Sequence, residues 1–134
     1  MHQWKKILLL PLCLLAAVGC SQEKPTAAMI ADLKSTNERD RIVAVRLLQH
    51  RQGDAAQVVP ALVSALTDKE NDVRWSAAIG LGYFGAKAKE AIPALQTAVK
   101  DKDARVREAA GVALSRIDPE NFSPPTAKAR AQAK

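Results

Sequence analysis

Few side chains of this 134-residue sequence could take part in metal or acid–base chemistry. His50 is the only histidine beyond the first 20 residues, and Cys13 and Cys20 are the only cysteines. A zinc site needs three or four convergent ligands, and a Ser-His-Asp or Cys-His arrangement needs a nucleophile beside its base. A single histidine supports neither of them. The sequence therefore predicts no metal site, no cofactor and no catalytic residue, with His50 on the surface or in a turn.

Three glycines, Gly80, Gly82 and Gly85, satisfy the G-x-G-x-x-G pattern of dinucleotide-binding loops. Such a loop lies between a strand and a helix, and an acidic residue follows about 20 residues later. Here the glycines close a helical pattern, and no strand pattern precedes them. We therefore interpret them as sites of close helix packing and as a helix stop.

The elements that carry these residues recur with a period of 33 residues. Residues 58–84 return one period later, and a weaker copy in the same register precedes them. The positions shared by all three copies are Arg41, Arg74 and Arg107; Ala44, Ala77 and Ala110; and Leu48, Leu81 and Leu114. A fixed period of this size is typical of stacked repeats, in which each unit buries its apolar face against its neighbours.

Each copy contains two helical patterns. The first is expected to open at a proline, Pro60 or Pro93, because the N–H that proline lacks would be unpaired at a helix start. Apolar residues follow at i, i+3 and i+4 spacing, which is one face of a helix. A polar break with capping side chains leads to a second apolar stripe that begins at Val73 or Val106. The sequence thus predicts an all-α fold, a short α-solenoid of about three helical hairpins.

The string D-V-R-W-S-A-A-I-G-L-G-Y-F-G at residues 72–85, which follows a P-A-L helix, resembles HEAT repeats of the phycobilisome-lyase type. The copy at residues 105–117 is similar to them as well, and the resemblance covers residues 26–118. It implies a HEAT-like solenoid, but the same repeat serves many kinds of binding and a few enzymes. Iron-dependent hydroxylases built from similar repeats use His-Glu pairs. This chain has no such pair, and we expect it not to be an enzyme.

The resemblance also suggests a role for the recurring arginines. In HEAT repeats, arginines at the positions of Arg74 and Arg107, with Arg41 as the weaker copy, pair with acids or carbonyls in the turns between helices. Asp68 and Asp101 are the implied partners. The alternative is a row of ligand-binding arginines.

A partner-binding surface is predicted on the second helices, which line the inner, concave face of HEAT solenoids. Trp75, Ile79 and Tyr83 lie off the core stripe and would stand in the middle of that face, flanked by Arg46 and Arg116. Two aromatic residues among charged neighbours are typical of an interface centre. The alternative is that both aromatic side chains merely pack on adjacent helices.

The N-terminus has the pattern of an export signal. Two lysines precede an apolar run at residues 7–18, which is too short to span a bilayer. The run ends in A-V-G-C, which resembles the lipobox of bacterial lipoproteins and would make Cys20 the lipid-carrying residue after cleavage. The alternative is an ordinary secretory cleavage near Gly19. Serine at position 21 would, by the same resemblance, favour sorting to the outer membrane if the host is Gram-negative.

Charge gives no strong indication of a partner. The chain carries 20 basic and 14 acidic residues, a net charge of +6, and the acids are interspersed among the bases. No basic stripe with interleaved aromatics is present, so nucleic acid is not an expected partner. The basic C-terminal tail could make weak contact with anionic lipid headgroups.

These observations predict four segments: a removed signal peptide at residues 1–19, a lipid-anchored tether at 20–25, a repeat domain at 26–118 with repeats at 26–53, 58–86 and 91–118, and a disordered basic tail at 119–134. The predicted function is that of a membrane-anchored lipoprotein, a protein-binding module or scaffold in the bacterial cell envelope, on the outer membrane facing the periplasm in a Gram-negative host. One alternative is an accessory subunit of a lyase-type or cofactor-attachment enzyme. Another is a self-stacking structural component of an envelope complex.

Overall fold

The structure, a computed structural model, describes residues 23–123 of the chain. These residues form an all-α fold with no β-strand among them, as the sequence predicts. The helices are α1 (Thr26–Asp32), α2 (Glu38–Leu48), α3 (Ala55–Ala65), α4 (Asn71–Phe84), α5 (Ile92–Ala98), α6 (Ala104–Ile117) and the single turn α7 (Pro119–Phe122). Two 3-10 segments, Gln52–Asp54 and Gly85–Ala91, lead into α3 and α5.

The helices form three hairpins that stack side by side. The pairs α1 and α2, α3 and α4, and α5 and α6 pack within a hairpin, while α2, α4 and α6 pack against one another as a row. Each of the helices α2 to α6 contributes a large, fully buried side chain: Leu48, Leu62, Leu81, Leu95 and Ile117. One continuous apolar cluster runs through all three hairpins, so each hairpin buries its apolar face on its neighbours.

The starts of the second helices follow the predicted capping chemistry at two of three positions. Asn37 caps α2, because its side-chain oxygen accepts a hydrogen bond from the backbone N–H of Arg39 at 3.0 Å. Asp103 caps α6 in the same way through the N–H groups of Arg105 and Val106. These bonds satisfy backbone donors that have no partner inside the helix.

The predicted start of the first helix in the second repeat is wrong. The helix α3 begins at Ala55, five residues before Pro60 and three before the predicted repeat boundary at residue 58, and Pro60 lies inside it. The helix tolerates the proline because the carbonyl left without a donor belongs to Ala56, near the helix start, and both residues are exposed to water. In the third repeat, α5 begins at Ile92, directly before Pro93, close to the prediction.

The C-terminal tail, predicted to be disordered from residue 119 onward, instead opens with the helical turn α7. The Asp118 side chain caps this turn by accepting a hydrogen bond from the backbone N–H of Asn121 at 3.2 Å. Phe122 packs against the core, and this contact holds α7 on α6. The tail prediction is therefore corrected for residues 119–122, while residues 124–134 lie outside the described part of the chain.

The predicted signal peptide and Cys20 also lie outside the described residues. Within residues 23–123, no helix has both the length and the apolar character needed to cross a membrane.

Candidate functional site

A groove of about 460 Å³ runs between α4 and α6. Trp75, Ile79 and Tyr83 form its α4 side, and Val112 and Arg116 lie on its α6 side. The α4 residues are spaced four apart, so they share one helix face. They form a stripe along the groove, in which Trp75 and Ile79 are half-buried and pack against the apolar core.

The helices on either side of the groove come close together at Gly82. A Cβ atom at this position would lie 3.3 Å from the Cα atom of Ala113 on α6. The backbones can approach this closely because neither residue carries a bulky side chain. The close approach fixes the floor of the groove, and the larger side chains at its two ends stand above that floor.

Each aromatic side chain of the groove lies beneath an arginine of α6. The guanidinium carbon of Arg105 is 6.0 Å from the ring centre of Trp75, and that of Arg116 is 5.7 Å from the ring centre of Tyr83. Arg105 is also held by an ion pair with Asp72 at 2.7 Å. Arg116 has no carboxylate within salt-bridge distance in the part of the chain that the structure describes. A cation over the face of an aromatic ring is a favourable interaction. At Tyr83 both the ring and the Arg116 guanidinium remain accessible to a ligand.

Four of the five residues predicted to bind a partner meet in this groove: Trp75, Ile79, Tyr83 and Arg116. The fifth, Arg46, is exposed on α2 and does not line the groove. The sequence analysis did not predict Arg105, because which residues of α6 oppose α4 depends on how the two helices cross. The 33-residue period offered a signal, since Arg105 lies one period after the Asp72 carboxylate that it binds.

Tyr83 is the most exposed aromatic side chain of the groove, with 56% of its surface open to solvent. It therefore contributes little to packing of the free protein. Exposed apolar surface beside partly buried aromatics and arginine suits the capture of an apolar side chain from another molecule.

The three glycines of the G-x-G-x-x-G pattern have structural roles, as the sequence interpretation held. A Cβ atom on Gly80 would lie 3.3 Å from a methyl carbon of Leu62, and Gly82 faces Ala113 as described above. Gly85 ends α4 with φ of 51° and ψ of −135°, a backbone conformation that favours glycine. The pattern therefore packs and terminates a helix.

The recurring arginines form a ladder that links one repeat to the next. The Nε and Nη2 atoms of Arg41 donate to the two carboxylate oxygens of Asp68 at 2.8 and 3.0 Å. Arg74 binds Asp101 through the same two atoms at the same two distances. In each pair the carboxylate belongs to the following repeat. The implied pairing of arginines with Asp68 and Asp101 is thus confirmed for these two pairs.

Each ladder arginine also holds the turn of its own repeat. The Nη1 atom of Arg41 donates to the carbonyls of Ser35 and Thr36, and that of Arg74 donates to the carbonyls of Asp68 and Lys69. Both guanidinium groups are buried, with 4% and 5% of each residue exposed. Burial of these charges is tolerated because every side of the guanidinium fork meets an acceptor.

The ladder changes the acidity of its carboxylates. Hydrogen bonds from Arg74 hold the pKa of Asp101 below its usual range, against the opposing effect of burial. Burial opposes ionisation of Asp68, but hydrogen bonds from Arg41 and the backbone N–H of Glu70 together lower its pKa. The side-chain amide of Asn71 lowers the pKa of Asp103 to about 2. All three groups are therefore ionised at neutral pH.

His50 is exposed at the end of α2, as predicted. Within residues 23–123, no three His, Cys, Asp or Glu side chains are grouped as they would need to be to hold a metal ion.

Comparisons with known proteins agree with this architecture. The chain is similar to a solved structure, the complex of CpcE and CpcF of phycocyanin lyase from Nostoc sp. PCC7120, with 27% identity and a TM-score of 0.67. The similarity covers 80% of this chain but only 42% of that one, so the chain matches less than half of that protein's length. No curated protein matches the sequence significantly. The family model for HEAT repeats matches residues 26–115 and again residues 60–132, and the chain therefore belongs to the HEAT repeat family.

Proposed function

We propose that this protein is a membrane-anchored binding module whose α4–α6 groove holds part of a partner protein. HEAT repeats form helical modules that bind other proteins over extended surfaces. The observation that carries the proposal is the exposure of Tyr83 beside Trp75, with Arg116 stacked over its ring. A tyrosine that packs little in the free protein, next to a half-buried tryptophan and an arginine, has the composition of an interface centre.

The shape and charge of the groove favour a particular kind of segment. Its apolar lining can accept an apolar side chain, while Arg116 offers a cation with no carboxylate partner among residues 23–123. An extended or helical segment with one apolar anchor and a neighbouring acidic residue would satisfy both features. We expect the protein to act by docking such a segment rather than by catalysis.

The experiment that tests this proposal is photocrosslinking from position 83 in intact cells, with the captured protein identified by mass spectrometry. We expect one envelope protein to be captured, and Trp75→Ala to reduce its capture by about tenfold or more, as for an interface anchor. Leu47→Ala is the control, because Leu47 is an exposed apolar residue on α2 that does not line the groove. Equal capture by the two variants, or capture of lipid alone, would refute the docking groove.

The membrane anchor is proposed on the sequence at residues 17–20 and is tested separately. Two or three acyl chains at Cys20, each buried CH₂ contributing about 0.8 kcal/mol, would hold the protein on a membrane. We expect Cys20→Ser to move the protein into the soluble fraction after cell lysis. Cys13→Ser is the matched control and should leave it membrane-bound, because residue 13 lies in the segment that cleavage would remove. Membrane retention of the Cys20→Ser protein would contradict lipidation.

A second candidate function rests on the likeness to the phycocyanin lyase complex. The chain would then be an accessory subunit of a cofactor-attachment enzyme. An export signal argues against this role, and the chain matches only 42% of the lyase protein. The test is to replace each subunit of that lyase complex in turn by this chain. Lyase activity in either mixed complex would support the second candidate. If neither mixed complex were active, this chain would not be able to replace a subunit of that lyase.

A further inference from the structure

Among residues 23–123, the last arginine of the ladder has no aspartate partner. Arg107 occupies the position of Arg41 and Arg74, and its Nη1 atom holds the turn of its own repeat through the carbonyls of Asp101 and Lys102 at 2.8 and 3.0 Å. Its Nε and Nη2 atoms, which bind an aspartate in the first two repeats, have no carboxylate within salt-bridge distance among residues 23–123. The guanidinium is thus oriented by its own repeat and has donors available for another.

The surface around Arg107 continues the pattern on which a further repeat would pack. A cleft of about 320 Å³ lies beside Arg107 on α6 and is lined by Gly111, Val112, Ser115 and Phe122. One period earlier, Gly111 and Ser115 correspond to the small residues Ala78 and Gly82, which line the side of α4 that faces α6. A Cβ atom on Gly111 would meet nothing within 4 Å. The helix α6 therefore presents the same kind of surface to solvent that α4 presents to α6.

The N-terminal end of the solenoid lacks the features that this surface would need in a second copy. Ser35 stands where the later repeats carry Asp68 and Asp101, and its hydroxyl donates to Asp40 at 2.9 Å. On α2, Val43 and Leu47 are 53% and 43% exposed. One and two periods later these positions hold only small residues: Ser76 and Gly80, and Ala109 and Ala113.

The small residues matter because they face the preceding repeat. Ser76, Ala109 and Ala113 are buried, and the Cα atom of Ala113 faces Gly82 of α4. Bulky Val43 and Leu47 at these positions would hold two hairpins apart, and Ser35 offers no carboxylate to an arginine. A second copy of this chain therefore does not complete the ladder head to tail.

We infer that the C-terminal end of the solenoid receives a helical hairpin of a different polypeptide, which places a turn aspartate against the Nε and Nη2 atoms of Arg107. The charge complementarity is that of the two internal rungs, in which a carboxylate accepts both bonds of the guanidinium fork. Small residues on the partner's facing helix would rest on Gly111 and Ser115. This surface is distinct from the α4–α6 groove and shares only Glu108 and Val112 with it.

The test is photocrosslinking in intact cells from Ala104, an exposed position at the start of α6 of the full-length chain. The expected result is capture of a second protein, with the crosslinked peptide in a helical hairpin whose turn carries an aspartate. Arg107→Glu should reduce this capture by about tenfold or more, because it sets two like charges against each other. Arg39→Glu is the control, because Arg39 is an exposed arginine on α2 that lines neither this surface nor the groove, and it should leave the capture unchanged.

A charge exchange gives the second measurement. Arg107→Asp combined with arginine at the partner's turn aspartate should restore capture, since the pair is then reversed but complementary. The inference is overturned if the captured molecule is a second copy of this chain or only lipid, if nothing is captured, or if Arg107→Glu has no effect. Because Trp75→Ala is expected to affect capture from position 83 alone, failure of this inference is distinguishable from failure of the groove proposal.

Discussion

Replacement of Arg74 by alanine is expected to destabilise the fold far more than the same change at Arg107. The two arginines occupy equivalent positions and both hold two carbonyls of their own turn. Only Arg74 also binds a carboxylate of the next repeat, and only Arg74 is buried. The comparison therefore isolates the inter-repeat pair from the contribution of the arginine to its own turn.

The magnitude follows from what Arg74→Ala leaves behind. The Asp101 carboxylate, whose side chain is 13% exposed, would lose its cation, and removing one partner of a buried pair costs about 3 to 5 kcal/mol. The lower end applies here, because Asp101 retains a hydrogen bond from the backbone N–H of Asp103 and water can enter the vacated space. Arg107 is exposed, and the carbonyls that it holds can bind water instead, so Arg107→Ala should cost at most about 1 kcal/mol.

Urea denaturation of a fragment of residues 21–134, followed by circular dichroism, measures both effects. With a slope m of about 1.5 kcal/mol per molar urea, a loss of about 3 kcal/mol lowers the midpoint by about 2 M. Arg107→Ala should lower it by less than about 0.7 M by the same conversion. Equal midpoints for the two variants would refute the reasoning, since the inter-repeat pair would then contribute nothing beyond the turn contacts.

Two further predictions concern pH and helix packing. The folded-state pKa values of Asp101 and Asp103 are lowered, so the unfolded chain binds more protons in acid, and the free energy of unfolding should fall from about pH 5 towards pH 2. Urea midpoints measured across this range should fall less steeply for Asp101→Asn than for the unaltered protein. The same decrease in both proteins would show that Asp101 does not contribute to the pH dependence. Gly82→Val should lower the free energy of unfolding by about 1 to 3 kcal/mol, because its Cβ atom lies 3.3 Å from the Cα atom of Ala113. The control Gly111→Ala should raise the free energy of unfolding by up to about 1 kcal/mol, because a Cβ atom there meets no neighbour and alanine favours helix. If both glycine variants lowered the free energy of unfolding, the close approach at Gly82 would not be the cause.

The sequence predicted the second helices and their order well because their apolar stripes are long and repeat with one period. Val73, Leu81 and Leu114 are buried where the stripe places them. It failed at the start of α3, where proline was taken as the opening residue of the helix. A proline in the second turn of a helix removes a single backbone hydrogen bond, and water can replace it when the affected carbonyl is exposed. The preference of proline for the first helical position therefore does not show where α3 begins.

The candidate site was predictable in part. A four-residue step along α4 identifies Trp75, Ile79 and Tyr83 as one face, since this depends only on helix geometry. Which residues of a neighbouring helix oppose that face depends on how the helices cross, and Arg105 was missed for this reason. The direction of the ladder was hidden as well: the sequence shows arginines and aspartates at one period, but only the structure shows that each carboxylate comes from the next repeat.

The ladder makes the junctions between repeats interchangeable. A copy of residues 68–100 inserted after residue 100 would bring its own aspartate for Arg74 and its own arginine for Asp101, at the separation of 27 residues seen in both existing pairs. Duplication of whole 33-residue units could thus lengthen the chain while each buried arginine keeps an aspartate partner. An insertion between Arg74 and Asp101 that is not a whole number of 33-residue units would leave a buried guanidinium facing the wrong side chain.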